Sequence, residues 1–231
     1  MIADKLAKVH SRIASACAAA GRPVQSVTLL AVTKTFGVDA IAEAHAAGQQ
    51  RFGENYVQEA VEKVAALAHL VPRPEWHLIG PLQSNKTRVV AATFDWVHSV
   101  DRVKIAERLS AQRPLGRAPI SVCLQVNVSG EVSKSGLAPA EVSAVAHAVA
   151  ALPRLSLRGL MAIPEAVADG DTAAQRRAFR ALRSLFDRLR AEGLALDTLS
   201  AGMSDDLEAA ILEGATMVRI GSAIFGRRPP A

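Results

Sequence analysis

Aromatic side chains are scarce in this sequence, with six Phe, two Trp and a single Tyr among 231 residues. A single-stranded nucleic-acid platform built on base stacking would have little to work with. Cysteine is nearly missing as well. Cys17 and Cys123 are the only two, too few for the disulfide framework of a small secreted domain, so reduced thiols and a cytoplasmic location are expected. No apolar run reaches the roughly eighteen residues of a membrane span. The charged opening "MIADKLAKVHSRI" lacks the apolar stretch of a secretory signal. No cluster of His, Cys and carboxylates has metal-ligand spacing, so no metal is expected.

Charge is present in both signs, with a net of +5. The densest basic stretch, "AAQRRAFRALRSLFDRLRAEG" at 173–193, separates on a helical wheel. Phe179, Leu182, Phe186 and Leu189 repeat at three and four residues, while Arg176, Arg180 and Arg183 lie elsewhere. That is a solvated face over a buried stripe, not a nucleic-acid surface.

After an amphipathic helix at 3–20, short apolar strands alternate with alanine-rich helices. Strands are expected at 27–34, 51–53, 75–79, 96–100, 121–128, 155–163, 198–201 and 217–220. Eight strands with intervening helices in a chain of this length match a single-domain (β/α)8 TIM barrel over 1–231, with an extra helix at its N-terminus. A doubly wound sheet is the competitor. It would announce a glycine-rich loop after its first strand, where "VTKTFGVDAI" has one glycine.

Barrel chemistry sits at the C-terminal ends of strands, and the polar residues collect there. They include Lys34, "GENY" at 53–56, His77, Ser99, Asn127, "SAGMS" at 200–204 and "RIGS" at 219–222. Side chains alternate along a strand. In "SVCLQVNV", Val122, Leu124, Val126 and Val128 share a helix-facing side, which aims Cys123 inward. The same parity groups Lys34 with Leu30 and Val32, and Arg219 with Met217. A lysine and an arginine then enter the barrel mouth from the first and last strands, which become neighbours on closure. Enclosure and a nearby Arg219 would both favour the neutral amine, the form that attacks an aldehyde. The ordinary alternative is a structural ion pair between Lys34 and a carboxylate such as Glu54. "LSAGMSDDLEAA" brings Ser200, Gly202 and Ser204 into a turn opening a helix at Asp205, with Gly221 and Ser222 beside it. Small residues and free N–H groups suit a phosphate, and Ser204 would also serve as an N-cap. Asp205 and Asp206 would then face solvent. An amine beside a phosphate cradle describes a site for a phosphorylated aldehyde.

The motifs "LLAVTKTF", "AGQQRFGENYVQE", "WHLIGPLQSNK", "VHSVDR", "QVNVSGEVSKSGL", "GLMAIPE", "LSAGMSDDLEAAI" and "VRIGSAIFG", in this order, resemble the YggS/PROSC family of pyridoxal phosphate homeostasis proteins. The resemblance runs nearly end to end. It implies an alanine-racemase N-terminal-like barrel (fold type III) with pyridoxal 5'-phosphate (PLP) held as an internal aldimine on Lys34. It further implies phosphate contacts from Ser200, Ser204, Gly221 and Ser222, with Gly202 and Met203 in the same turn, Arg219 facing the pyridine nitrogen and Asn55 near the ring. A guanidinium opposite that nitrogen disfavours its protonation and weakens the ring as an electron sink.

The related racemases take a second acid/base, a tyrosine, from an additional β-domain. Here only 221–231 follow the eighth strand, and the single tyrosine, Tyr56, reads as a helix-start residue. The expectation is a monomeric PLP carrier that buffers the cofactor and delivers it to apo-enzymes, with no catalytic residues, no nucleic acid and no membrane partner. A weakly active racemase-like enzyme and a cofactor-free Schiff-base aldolase are the alternatives. His77, if inward, would reach the cofactor rim or serve as a hydrogen-bonded core residue. Lys134, in the loop "GEVSKSG" at 130–136, would offer a second amine.

Overall fold

The computed structural model describes residues 1–130, 135–164 and 172–226. The eight strands are β1 Thr28–Val32, β2 Arg51–Glu54, β3 Glu75–Leu78, β4 Trp96–Val100, β5 Ile120–Gln125, β6 Leu155–Met161, β7 Thr198–Ser200 and β8 Met217–Ile220. They pair in parallel, in sequence order, and close into a barrel. Closure is made by β1 on β8, with Thr28 beside Met217 and Leu30 beside Arg219. The helices are α1 Ile2–Ala19, α2 Val38–Ala46, α3 Val57–Ala66, α4 Thr87–Thr93, α5 Val103–Gln112, α6 Val142–Ala150, α7 Thr172–Ala191, α8 Leu207–Leu212 and the short α9 Ser222–Phe225.

The alternation of apolar residues sorts them into an outer shell and an inner filling. Leu29, Ala31, Val122, Leu124, Val126, Val218 and Ile220 pack in the shell between strands and helices. Leu30, Val32, Ile79 and Met217 form one separate inner cluster, and Trp96, Cys123 and Met161 another. Parity therefore puts Cys123 inside, where burial raises its thiol to about 12 and keeps it unreactive at neutral pH. In α1, Leu6, Val9, Ile13, Ala16 and Cys17 recur at three and four residues and are buried. This helix is tied to α8 by a forked pair from Arg12 to Glu208 at 2.7 and 2.8 Å. In α7, the expected stripe of Phe179, Leu182, Phe186 and Leu189 is buried. Its arginines engage carboxylates: Arg176 and Arg180 hold Glu213, and Arg183 holds Asp187.

Several elements are shorter than expected, and three of these bear on the C-terminal mouth. β1 ends at Val32, so Lys34 stands in the turn beyond it. β5 ends at Gln125 because Asn127 N–H donates to Leu137 O, drawing the chain to a returning segment. α8 begins at Leu207, with Asp206 as its N-cap in place of Ser204.

Candidate functional site

A cavity of about 510 Å³ opens at the C-terminal mouth of the barrel. Of the sequence-derived site residues, Lys34, Asn55, Met203, Ser204, Arg219, Gly221 and Ser222 line it. Ser200, Gly202 and His77 do not; they lie in the framework beneath and behind it.

Lys34 reaches the cavity from a turn under backbone strain. The next residue, Thr35, has φ 69°, a left-handed conformation that costs a β-branched residue about 1–3 kcal/mol. A network running from the surface into the core holds it there. Thr35 N–H donates to Glu59 at 2.7 Å, and Thr33 Oγ1 donates to Glu54 at 2.5 Å. Lys63 Nζ joins Glu54, Glu59 and the Thr33 carbonyl at 2.8, 2.5 and 2.8 Å. Burial pulls the Glu54 carboxyl upward, against the hydrogen bonds from Lys63 and Thr33. The buried structural lysine that the sequence allowed at Lys34 is thus Lys63, and the carboxylate it pairs with is Glu54. Lys34 itself is half-buried on the cavity wall.

Arg219 forms part of the cavity floor and is only 4% exposed. Its Nη1 donates to Ser200 O and Oγ at 2.6 and 2.8 Å, and its Nη2 donates to Ala162 O at 2.9 Å. Burial pushes its pKa down to about 10, against the pull of Asp206, so it remains charged at neutral pH. Ser200 is fully buried and held by Arg219 and His98 Nδ1. His77 is the core residue of the two roles open to it. It is fully buried, stacks on Trp96 and bonds His98 and Glu75. On the same wall the cavity is lined by Ile79.

Gly202 has φ +96°, and a Cβ there would meet Ala210 Cβ at 2.7 Å. Its small size serves the approach of α8. Ser204, released from capping, bonds Ser222 Oγ at 3.0 Å and joins β7 and β8 loops at one end of the cavity. Asp206 turns back to accept Met203 N–H at 2.5 Å, so it does not face solvent as expected; burial raises its carboxyl pKa. Asp205 is exposed and lines the mouth.

Asn55 carries the clearest sign of an open valence. Its Oδ1 is buried without a hydrogen-bond partner, and the residue lines the cavity. Such an orphaned acceptor is costly unless something completes it. The chain after β3 is packed hard against it: a Cβ on Gly80 would lie 2.2 Å from Asn55 O. Ser99 Oγ fixes that segment through Gly80 O at 2.6 Å.

Sequence reasoning missed His98, although its parity with Trp96 in "WVHSV" places it inside the barrel. It also missed the apolar wall of Phe36, Ile79 and Ile163, because apolar residues at strand ends carry no chemical signal. Lys134 lies in 131–134, outside the described residues. Tyr56 is the N-cap of α3, 55% exposed.

This geometry agrees with the chain's relatives. A pyridoxal phosphate homeostasis protein from Pseudomonas aeruginosa is 62% identical over 227 residues, covering 98% of this chain and 96% of that one. One of the same name from Escherichia coli is 53% identical over 228 residues, with 98% and 97% covered. The structure of PipY from Synechococcus elongatus with PLP bound superposes at a TM-score of 0.84 and 40% identity, covering 98% of this chain and all of that one. The family described as alanine racemase, N-terminal domain, matches residues 5–229, and the chain belongs to it.

Proposed function

We propose that this protein binds PLP in the C-terminal mouth of its barrel, covalently through Lys34, and serves to store and hand on the cofactor. The observation that carries this reading is the convergence of an amine, Lys34, a buried cation, Arg219, and an orphaned acceptor, Asn55 Oδ1, on one cavity. PLP supplies an aldehyde to the amine and an aromatic ring able to accept electrons. Lys34 provides the point of attachment, and Ser204, Ser222 and Gly221 hold the phosphate end. Arg219 would hold the nitrogen side of the ring and disfavour a proton there, which would restrain carbanion chemistry, and Asn55 would hold the ring edge. Ser200 and Gly202 act one layer below, through Arg219 and through the seat of α8.

Storage is favoured over turnover because, apart from Lys34 and Arg219, the described cavity lining holds a single titratable side chain, Asp205 at the mouth, beside the apolar Phe36, Ile79 and Ile163. Exposed Ile163 and Met203 at the rim, 40% and 41% exposed, keep the mouth open to a receiving apo-enzyme. The free thiols of Cys17 and Cys123 suit a reducing cytoplasm, and no described helix is long and apolar enough to cross a membrane.

The test is direct. Purified protein incubated with PLP should absorb as a yellow imine, and borohydride followed by peptide mapping should place the label on Lys34. A colourless protein with Lys34 unlabelled would defeat the proposal. Amino-acid racemisation well above that of free PLP would replace storage with catalysis.

A further inference from the structure

A row of polar side chains runs through the barrel from its N-terminal mouth to the floor of the cavity. Arg219 Nη1 meets Ser200 Oγ at 2.8 Å, and Ser200 Oγ meets His98 Nδ1 at 2.8 Å. His98 Nε2 meets His77 Nδ1 at 2.9 Å, and His77 Nε2 meets Glu75 Oε1 at 2.8 Å. Arg51 Nε closes the row on Glu75 at 3.1 Å. Ser200, His77 and His98 have no exposure at all, whereas Glu75 reaches solvent at the opposite end from Lys34, with its side chain 37% exposed.

The chemistry of the two ends dictates where every hydrogen lies. A guanidinium only donates and an ionised carboxylate only accepts. Because Glu75 accepts, His77 carries its proton on Nε2 and presents a bare Nδ1. His98 must then donate from Nε2, which leaves its own Nδ1 bare. Ser200 therefore gives its hydroxyl proton to His98 and turns a lone pair toward Arg219. The opposite order would set the bare Nε2 of His77 against a carboxylate at 2.8 Å and leave a buried hydroxyl hydrogen to find another acceptor, each at a cost of about 1–3 kcal/mol. A doubly protonated His77 is the remaining arrangement. Burial opposes it, pushing both imidazoles below their ordinary 6.5, although Glu75 pulls His77 back.

We propose that Glu75, His77, His98 and Ser200 form a one-directional hydrogen-bond relay that positions Arg219 at the cavity floor from the far end of the barrel. These are positioning residues, and Glu75, distant from the cavity, is the acceptor that sets the direction of the whole row. The relay stands on its own geometry; only its effect on a bound ring rests on the PLP reading.

The experiment uses full-length protein labelled with ¹⁵N-histidine, without added PLP, at pH 7.5. Both rings should be neutral, protonated on Nε2 and bare on Nδ1. Glu75→Leu, which removes the acceptor, should lose this single pattern at both His77 and His98. Glu75→Gln, which keeps an acceptor oxygen in the same place, should retain it. A charged ring or an Nδ1–H form in the wild type would overturn the relay. So would an unchanged pattern in Glu75→Leu or a lost one in Glu75→Gln. With PLP added, the bound absorption band should move in Glu75→Leu and not in Glu75→Gln, while borohydride labelling of Lys34 stays equal in all three. Absence of any label in the wild type would defeat the PLP reading, with the nitrogen resonances still deciding the relay.

Discussion

The two open ends of the barrel are both polar, and they differ in how that polarity is satisfied. At the N-terminal mouth, Arg51 meets Glu75, Arg158 grips Asp197 through Nε and Nη2, and Arg158 also lies over Trp96 at 4.9 Å. Each of these charges has its opposite close by. At the C-terminal mouth, Asn55 Oδ1 has no partner and Thr35 is held in a left-handed turn beside Lys34. Both mouths contain a cavity, of about 370 and 510 Å³, so volume does not separate them. Among the residues lining the two cavities, the unpaired Asn55 Oδ1 does, since a buried polar group left without a partner is costly.

Breaking the C-terminal mouth should have the largest effect. Lys34→Ala should abolish the covalent PLP signal entirely while the thermal midpoint stays close to that of the wild type. A labelled lysine elsewhere in the cavity would relocate the attachment point. The framework behind that mouth comes next. Lys63→Met keeps the aliphatic stem but leaves the Glu54 carboxylate buried without a counter-charge, which should cost about 3–5 kcal/mol in urea unfolding. A loss under 1 kcal/mol would mean that Glu54 simply takes up a proton.

The axis between the mouths is probed by pH. Burial holds His77 and His98 below 6.5; Glu75 and Asp95 pull His77 upward, Arg51 pushes it down, and His77 and Arg219 push His98 down. In the unfolded chain each imidazole takes up a proton below about pH 6.5. Stability should thus be level above that pH and fall beneath it, by up to about 1.4 kcal/mol per pH unit for each ring. Denaturation at pH 7.5, 6.5 and 5.5 measures the slope, and a flat profile would mean that the buried rings are charged in the fold. Smallest of all should be the Arg158–Asp197 pair at the N-terminal mouth. Asp197→Asn weakens a solvent-exposed pair and should cost less than about 1 kcal/mol, with PLP binding unchanged; impaired binding would show that this pair also takes part.

The barrel was legible because its signals are local. Alternation in "LLAVTKTF" and "SVCLQVNV" separates shell from interior, and β1 to β8 follow in the expected order. The candidate site was legible at Lys34, Arg219, Ser204 and Ser222, where a polar residue ends or follows an apolar strand. It was less so at Gly202 and Asp206. A glycine needed for the packing of Ala210 looks the same in sequence as one needed by a ligand, and a carboxylate that folds back on Met203 N–H looks the same as one facing water.

Pairing across the barrel was beyond reach. Nothing in "GENYVQEAVEKV" says that Lys63, and not Lys34, answers Glu54, because which amine reaches a buried carboxylate depends on how α3 lies against the turn after β1. His98 and Ser200, 102 residues apart, meet only when β4 and β7 face one another across a closed sheet. By itself the sequence determined the strand order, the inward and outward faces and a lysine closely following β1, since each follows from hydrophobic period and chain geometry. Tertiary structure alone decided which polar groups satisfy one another and which, like Asn55 Oδ1, are left over. Hydrogen bonds act over about 3 Å, and only the closed barrel brings those partners within that distance.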